Sequence, residues 1–189
     1  PAIPGHLEIV LQKLRDSGCE INTSEDSIEI KSQEINAVDI VTEPYPGFPT
    51  DLQAPFMALM ATAKGISQIT ETVFEQRMQH VGELKRMGSS IELKGSTAII
   101  KGVRELSSAN LSAGDLRSSA AIVLASLAAE GTSKINGIDY LDRGYEKMEE
   151  KLTQAGANVI RVRQGCIDSK KSKNDLKSLN HLTKDPEVA

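Results

Sequence analysis

Two aspartates and three arginines are the residues of this 189-residue chain whose types and places suggest chemistry. Asp51 ends an irregular stretch, EPYPGFPTD, that Pro44, Pro46, Gly47 and Pro49 stiffen, and it opens a predicted helix. A carboxylate at a rigid loop–helix junction can accept a hydrogen bond from a sugar hydroxyl, or take its proton. It can equally cap free N–H groups and suit the helix dipole. The pattern alone favours capping, because Asp115 holds the equivalent place 64 residues after Asp51. The two roles are compatible, since a carboxylate has two oxygens. Arg77 in ETVFEQRM and Arg143 in DYLDRGYE each follow a predicted strand and precede a helix, and Arg117 comes just after Asp115. Guanidinium forks suit carboxylates and phosphates. Surface pairing with Glu75, Asp142 and Glu146 is the plainer reading of Arg77 and Arg143. The histidines, His6, His80 and His181, are scattered, and His80, near a helix start, is expected at the surface or as a cap. Cys19 reads as a small buried hydrophobe in a strand, and Cys166 falls in the tail.

Several function classes are excluded. The sequence has no GxSxG, P-loop or HExxH motif and no Cys/His cluster at metal-ligand spacing. A net charge of −4 gives no electrostatic reason to expect nucleic acid. Two cysteines are too few for a disulfide framework. No apolar run reaches the length of a membrane-spanning helix, and no secretion signal is visible, so a cytoplasmic protein is expected. Aromatic residues make up 3% of the chain, with no Trp, so the core must be built from Leu, Ile, Val, Ala and Met.

The elements that position these residues recur along the chain. One half-unit reads amphipathic helix, glycine, strand, at 6–21, 80–93 and 145–160, with Gly18, Gly88 and Gly156 where a helix end wants a left-handed residue. In the first copy Leu7, Val10, Leu11 and Leu14 share a helical face. The other half-unit reads loop, aspartate, helix, glycine, strand, at 50–70 and 114–136, with Gly65 and Gly131 closing the helices. Phe56, Leu59, Met60 and Ala63 give the apolar face in the first, and Leu116, Ala120, Val123, Leu124 and Leu127 in the second. The expected fold is therefore α/β, in repeated βαβαββ-like units with the helices inside and the sheets outside. Residues 1–163 are expected to form a partial domain. From Gln164 onward Lys, Ser and Asp dominate, which predicts a polar, disordered tail with at most a short helix over 175–182.

Four of these segments together resemble a known family. FPTDLQAPFMALMATAKG, ITETVFEQRMQHVGELKRMG, LSAGDLRSSAAIVLASLAAEGTSKI and IDYLDRGYEKMEEKLTQAGANV are similar, in order and spacing, to motifs in the C-terminal part of the UDP-N-acetylglucosamine enolpyruvyl transferases. The resemblance runs from about Pro4 to Arg163. It implies an incomplete inside-out α/β barrel domain and transfer of the enolpyruvyl group of phosphoenolpyruvate to the 3′-hydroxyl of UDP-N-acetylglucosamine. That reaction is the first committed step of peptidoglycan precursor synthesis, and no metal or organic cofactor is implied. By the same resemblance Asp51 is the sugar-facing aspartate and candidate base, and Asp115 is a second active-site acid. Val73 is a backbone contact to the UDP-sugar, with Phe74 beside it. Arg117 and Arg143 are arginines of the phosphoenolpyruvate site, and Arg77 is an arginine of the cleft wall. The family's general-acid cysteine, and the lysine and arginines that complete the site, belong to its other half and have no counterpart here. A missing N-terminal half is therefore an expected partner, and the chain alone is expected to be inactive. The alternatives are a non-catalytic UDP-sugar-binding half, or a chain that pairs with a separate N-terminal half.

Overall fold

The computed structural model describes residues 2–32 and 34–162. Cys166, His181, the predicted tail and the predicted helix at 175–182 lie outside the described residues. The chain divides into two compact units, 1–148 and 149–189.

The first unit opens with a 3-10 turn, Pro4–Leu7, and helix α1, Glu8–Asp16. Strands β1 (Glu20–Thr23) and β2 (Ile28–Lys31) form an antiparallel hairpin. Strand β3 (Ile40–Val41) leads through a second 3-10 turn, Thr50–Leu52, into α2 (Gln53–Met60) and then β4 (Ile66–Thr70). Helix α3 (His80–Arg86) precedes the strands β5 (Ser90–Lys94) and β6 (Thr97–Lys101). Short strands β7 (Leu106–Ser107) and β8 (Asn110–Ser112) precede α4 (Leu116–Leu127). Strands β9 (Ala129–Glu130) and β10 (Lys134–Asn136) and the single turn α5 (Asp139–Asp142) complete the unit.

The predicted repeat is the organising feature. Strand β3 lies parallel to β4 with α2 between them, and β8 lies parallel to β10 with α4 between them. Strand β3 starts at 40 and β8 at 110, 70 apart; β4 starts at 66 and β10 at 134, 68 apart. The hairpin β1–β2 corresponds in the same way to β5–β6. Even the smallest pairing recurs: the parallel bridge between Asn36 and Lys64 has its counterpart in the parallel pair β7–β9. The predicted glycines close the helices. Gly18 has φ +100°, and with it Gly18 N–H reaches Arg15 O at 2.9 Å and Cys19 N–H reaches Leu14 O at 3.0 Å. At Gly88, with φ +89°, the same pair recurs: Gly88 N–H reaches Lys85 O at 3.0 Å and Ser89 N–H reaches Leu84 O at 3.1 Å. This is the left-handed ending that satisfies the last helical carbonyls.

Helices lie inside and sheets outside. The largest sheet runs β3–β4–β6–β5, and its inward residues Ile69, Ala98, Ile100 and Ile91 are buried with Phe56, Met57, Met60, Leu84 and Met87 of the helices. Strand β4 alternates as a half-buried strand should, with Ser67 and Ile69 fully buried and Ile66 62% exposed. Each fully buried Ile or Met contributes on the order of 2 kcal/mol of transfer free energy. Among the described residues the strands form four separate sheets and no closed barrel.

Three expectations need correction. The apolar face assigned to α4 is displaced: Leu124 and Leu127 are each 40% exposed, and Ser118, Ser119, Ala120, Ala121, Ile122 and Ala125 are buried instead. Helix α4 packs against α2, and small residues on that side let the two inner helices approach closely. On α2 the burial extends round the helix to Gln53, Ala54, Met57 and Ala58, because an inner helix has neighbours on more than one side. In the third copy of the helix–glycine–strand unit, α6 (Met148–Gln154) and Gly156 with φ +93° are present, but 157–162 forms no strand. The equivalent segments of the first two copies are held by a hairpin partner, and a strand without a ladder has nothing to hold it extended. Within this second unit Arg161 instead pairs with Glu149 at 2.9 Å.

Candidate active site

Asp51 and Asp115 both lie in loops that leave the carboxyl end of a parallel strand and enter a helix, one after β3 and one after β8. Open α/β units bind ligands at such ends, where the strand-to-helix loops gather. The two aspartates, equivalent in the repeat, are used differently. Asp115 is the N-cap of α4: its Oδ1 accepts the backbone N–H groups of Arg117 at 2.9 Å and Ser118 at 3.0 Å, and its Oδ2 accepts the Ser118 hydroxyl. Asp51 caps nothing. The 3-10 turn and α2 that follow it have no side-chain cap, so the capping expected in both copies holds for Asp115 alone. The cause is the intervening 3-10 turn, which places Asp51 inside a turn rather than ahead of the first helical residue.

Freed from capping, the Asp51 carboxylate meets two guanidinium groups. Arg117 Nε donates to Asp51 Oδ1, and Arg77 Nη1 reaches the same oxygen at 3.3 Å. Arg77 also donates to Thr50 Oγ1 at 2.8 Å and stands over the Phe74 ring, 4.1 Å from its centroid. Both contacts on Asp51 fall on one oxygen, Oδ1, and the side chain is 61% exposed. The hydrogen bond from Arg117 holds the Asp51 carboxyl below the usual carboxylate range, with the charges of Arg117 and Arg77 adding to it against a partial upward push from burial. Burial pushes the Asp115 carboxyl up, but the hydroxyl and backbone N–H of Ser118 and the N–H of Arg117 outweigh it, and the result is again lowered. Both acids are therefore ionised at neutral pH.

Of the residues singled out from the sequence, the structure brings together Asp51, Arg77, Arg117 and Phe74, with Asp115 one residue from Leu116 and two from Arg117 on the same helix start. Val73 lies beside Phe74, 36% exposed, its backbone N–H turned onto Glu71 Oε1 at 2.9 Å. Arg143 is not part of the ion-paired group among the described residues: its guanidinium lies over the Tyr140 ring at 5.3 Å. Surface pairing of Arg77 with Glu75 is replaced by the Asp51 contact.

Two residues were not anticipated, and a third was misplaced. Tyr145, two positions after Arg143, feels the charges of both Asp51 and Arg117; burial first and the Asp51 charge second raise its phenol, so it stays a donor. Glu71 is fully buried at the end of β4 and accepts four hydrogen bonds. His80 is 1% exposed rather than at the surface, neither ring nitrogen has a hydrogen-bond partner among the described residues, and burial pushes its imidazole down to about 4 against the opposing charge of Asp115. A hint of His80 was available, since HVGELKRM puts it on the face of Val81, Leu84 and Met87. No group of three or more His, Cys, Asp or Glu able to hold a metal ion occurs among the described residues, and none of their helices is long and apolar enough to cross a membrane.

A helices-inside α/β unit that gathers carboxylates and guanidiniums at its strand-to-helix loops can bind hydroxyl and anionic groups there. The chain belongs to the EPSP synthase (3-phosphoshikimate 1-carboxyvinyltransferase) family, whose profile matches residues 2–152. Its relatives lie in the nucleotide-sugar branch. It is 55% identical over 161 residues to the UDP-N-acetylglucosamine 1-carboxyvinyltransferase of Prochlorococcus marinus (strain MIT 9313), and 59% identical over 162 residues to that of strain NATL2A. Each match covers 85% of this chain but only 37% and 35% of the relative, so the chain spans a little over a third of the length of those enzymes. Among solved structures, the enolpyruvyl transferase NikO from Streptomyces tendae superposes with a TM-score of 0.73 at 25% identity, over 80% of this chain and 36% of NikO.

Proposed function

We propose that this chain supplies one wall of a site at which the enolpyruvyl group of phosphoenolpyruvate passes to the 3′-hydroxyl of UDP-N-acetylglucosamine, as part of a complete carboxyvinyltransferase. The observation that carries the reading is the state of Asp51. It is ionised, anchored through Oδ1 by two guanidiniums, and offers Oδ2 to a hydroxyl. Phosphoenolpyruvate joins a phosphate and a carboxylate in one small molecule, and cations fixed in place beforehand stabilise the charge that shifts during transfer. Arg117 and Arg143 fill that role in this reading, and Arg77 stands in the cleft wall. Asp51 orients the sugar hydroxyl and accepts its proton as the oxygen bonds to the central carbon of phosphoenolpyruvate and a general acid of the other half protonates the methylene carbon; loss of phosphate together with a proton from the methyl group so formed restores the double bond and completes the transfer. Asp115 fixes the start of α4 and with it the base of Arg117. Val73 and Phe74 present backbone and ring to the UDP-sugar. The names of the relatives support peptidoglycan precursor synthesis as the setting, and a soluble nucleotide sugar as substrate supports a cytoplasmic one.

The family's general-acid cysteine and its companion cations have no counterpart in the 189 residues, so the chain by itself is expected to bind the sugar nucleotide without turnover. Closing a cleft between two halves is what assembles the charges and excludes water. Calorimetric titration with UDP-N-acetylglucosamine, on the chain and on Asp51→Asn, tests the reading. Binding that the substitution weakens supports it; no heat with the unaltered chain, or equal affinity for both, counts against it. Phosphate release by the chain alone, given both substrates, would overturn the division of the site between two halves.

A further inference from the structure

Glu71 is 0% exposed, yet its carboxylate receives four hydrogen bonds from three separate segments. Oε1 accepts the Thr42 hydroxyl at 2.7 Å and the backbone N–H groups of Val73 and Phe74 at 2.9 Å each, and Oε2 accepts the Thr50 hydroxyl at 2.9 Å. The directions of these bonds are fixed. Thr72 N–H donates to Thr42 Oγ1 at 2.9 Å, so the Thr42 hydrogen is left for Glu71. Arg77 Nη1 donates to Thr50 Oγ1 at 2.8 Å, so the Thr50 hydrogen is likewise left for Glu71. Four donors converge on a group that must be acceptor-only, which among side chains only a carboxylate satisfies.

We propose that Glu71 is a positioning residue of the site: its buried carboxylate ties the Val73–Phe74 turn to the Thr50–Asp51 turn and thereby sets where Arg77 and Asp51 stand. This rests on the reading of Asp51 and Val73 as sugar-nucleotide contacts. The partners of Glu71 are two irregular segments that carry the candidate site residues, and Thr50 is the shared atom between Glu71 and Arg77.

The geometry separates the two arms. In Glu71→Gln the amide oxygen can keep the Oε1 place with its three donors, Val73 and Phe74 included. Its NH₂ then faces Thr50 Oγ1, which already accepts from Arg77. That variant disturbs only the Thr50 arm, because the hydroxyl must turn its hydrogen away before its second lone pair can accept the amide and the charge-assisted bond is lost, and Thr50→Val breaks the same arm from the other end. In the full chain, each single substitution should weaken UDP-N-acetylglucosamine about tenfold, the factor that about 1.4 kcal/mol makes. The double substitution should be no weaker than either single, and Thr50→Ser should bind within about twofold of the unaltered chain. Two readouts need no ligand. The Asp51 carboxyl carbon resonance should titrate at a higher pH in Glu71→Gln and Thr50→Val, because Arg77 slackens. Amide exchange at Val73 and Phe74 should be unchanged in Glu71→Gln and at least about tenfold faster in Glu71→Ala. If the unaltered chain binds no sugar nucleotide, the ligand reading fails and the carbon resonance and amide exchange still decide on Glu71. Affinity losses that multiply, or an Asp51 resonance indifferent to both substitutions, overturn the proposal.

Discussion

Lowering the pH toward 5 should destabilise this protein through a single imidazole. His80 is 1% exposed with unpartnered ring nitrogens, and burial holds it down at about 4, against 6.5 for the ordinary group. The unfolded chain therefore takes up the proton first. Stability is intact above pH 6.5, falls as the pH drops from 6.5 toward 4, and levels below that. A difference of about 2.5 pH units is worth roughly 3 kcal/mol in full, and at pH 5 roughly 2 kcal/mol has been lost. Asp51 and Asp115 do not act in this window. Their carboxyls are lowered from 3.8, so the stability they add is present above that value and is lost only as pH falls through their folded range. The companion variant is His80→Leu, close in volume and unable to titrate. Urea unfolding followed by circular dichroism suits a chain without Trp, at pH 7.5 and 5.0 for both proteins. The unaltered chain should lose roughly 2 kcal/mol more than His80→Leu. Equal losses, within about 0.5 kcal/mol, would mean that the imidazole is solvated or paired and that the reasoning from burial is wrong.

Three further outcomes are expected. Asp115→Ala removes a helix cap and should cost about 0.5–2 kcal/mol in urea unfolding, while Asp51→Ala, which uncaps nothing, should cost less than about 0.5 kcal/mol; the reverse order would contradict the assignment of roles. Gly102→Ala would set a Cβ 1.6 Å from the Ala63 carbonyl oxygen and should cost about 3 kcal/mol or prevent folding, whereas Gly82→Ala, with nothing within 4 Å, should stabilise α3 by about 0.5–1 kcal/mol. Arg117→Lys keeps a charge but loses the Nε contact, so the Asp51 carboxyl should titrate closer to its ordinary value in carbon-detected NMR; an unchanged midpoint would show that Arg117 does not set it.

The periodic part of this fold was legible in the sequence. Helix–glycine–strand copies announce themselves because a left-handed residue is needed wherever a helix ends in that way, and Gly18 and Gly88 duly carry the same two hydrogen bonds. Pairing across space was not legible. Nothing in ANVI reveals whether a partner strand exists, and at 157–162 none is formed. The inner helices were misjudged for a related reason: a single apolar stripe is the signature of a helix with one buried side, whereas α2 and α4 have neighbours on several, so Ser118 and Ser119 go in while Leu124 and Leu127 stay partly out. At the candidate site, residue type and spacing singled out Asp51, Arg77 and Arg117 while favouring capping and surface pairing for them, and the split between the two aspartates turned on a 3-10 turn that periodicity does not encode. Glu71 was passed over because one acid after a run of Ile and Thr looks like a strand end in solvent. Its burial follows from donors that lie 29 residues before it in Thr42 and 21 before it in Thr50.

The one-way character of the bonds around Thr50 also governs where a proton could travel. The hydroxyl donates inward to Glu71 and receives from Arg77, a group that does not give up its hydrogen under any ordinary condition. The hydrogen-bonded path from Asp51 through Arg77 and Thr50 to the interior carboxylate thus offers no hydroxyl that hands a proton from one acid to the other. In the proposed reaction a proton taken up by Asp51 leaves toward solvent, where that side chain is 61% exposed.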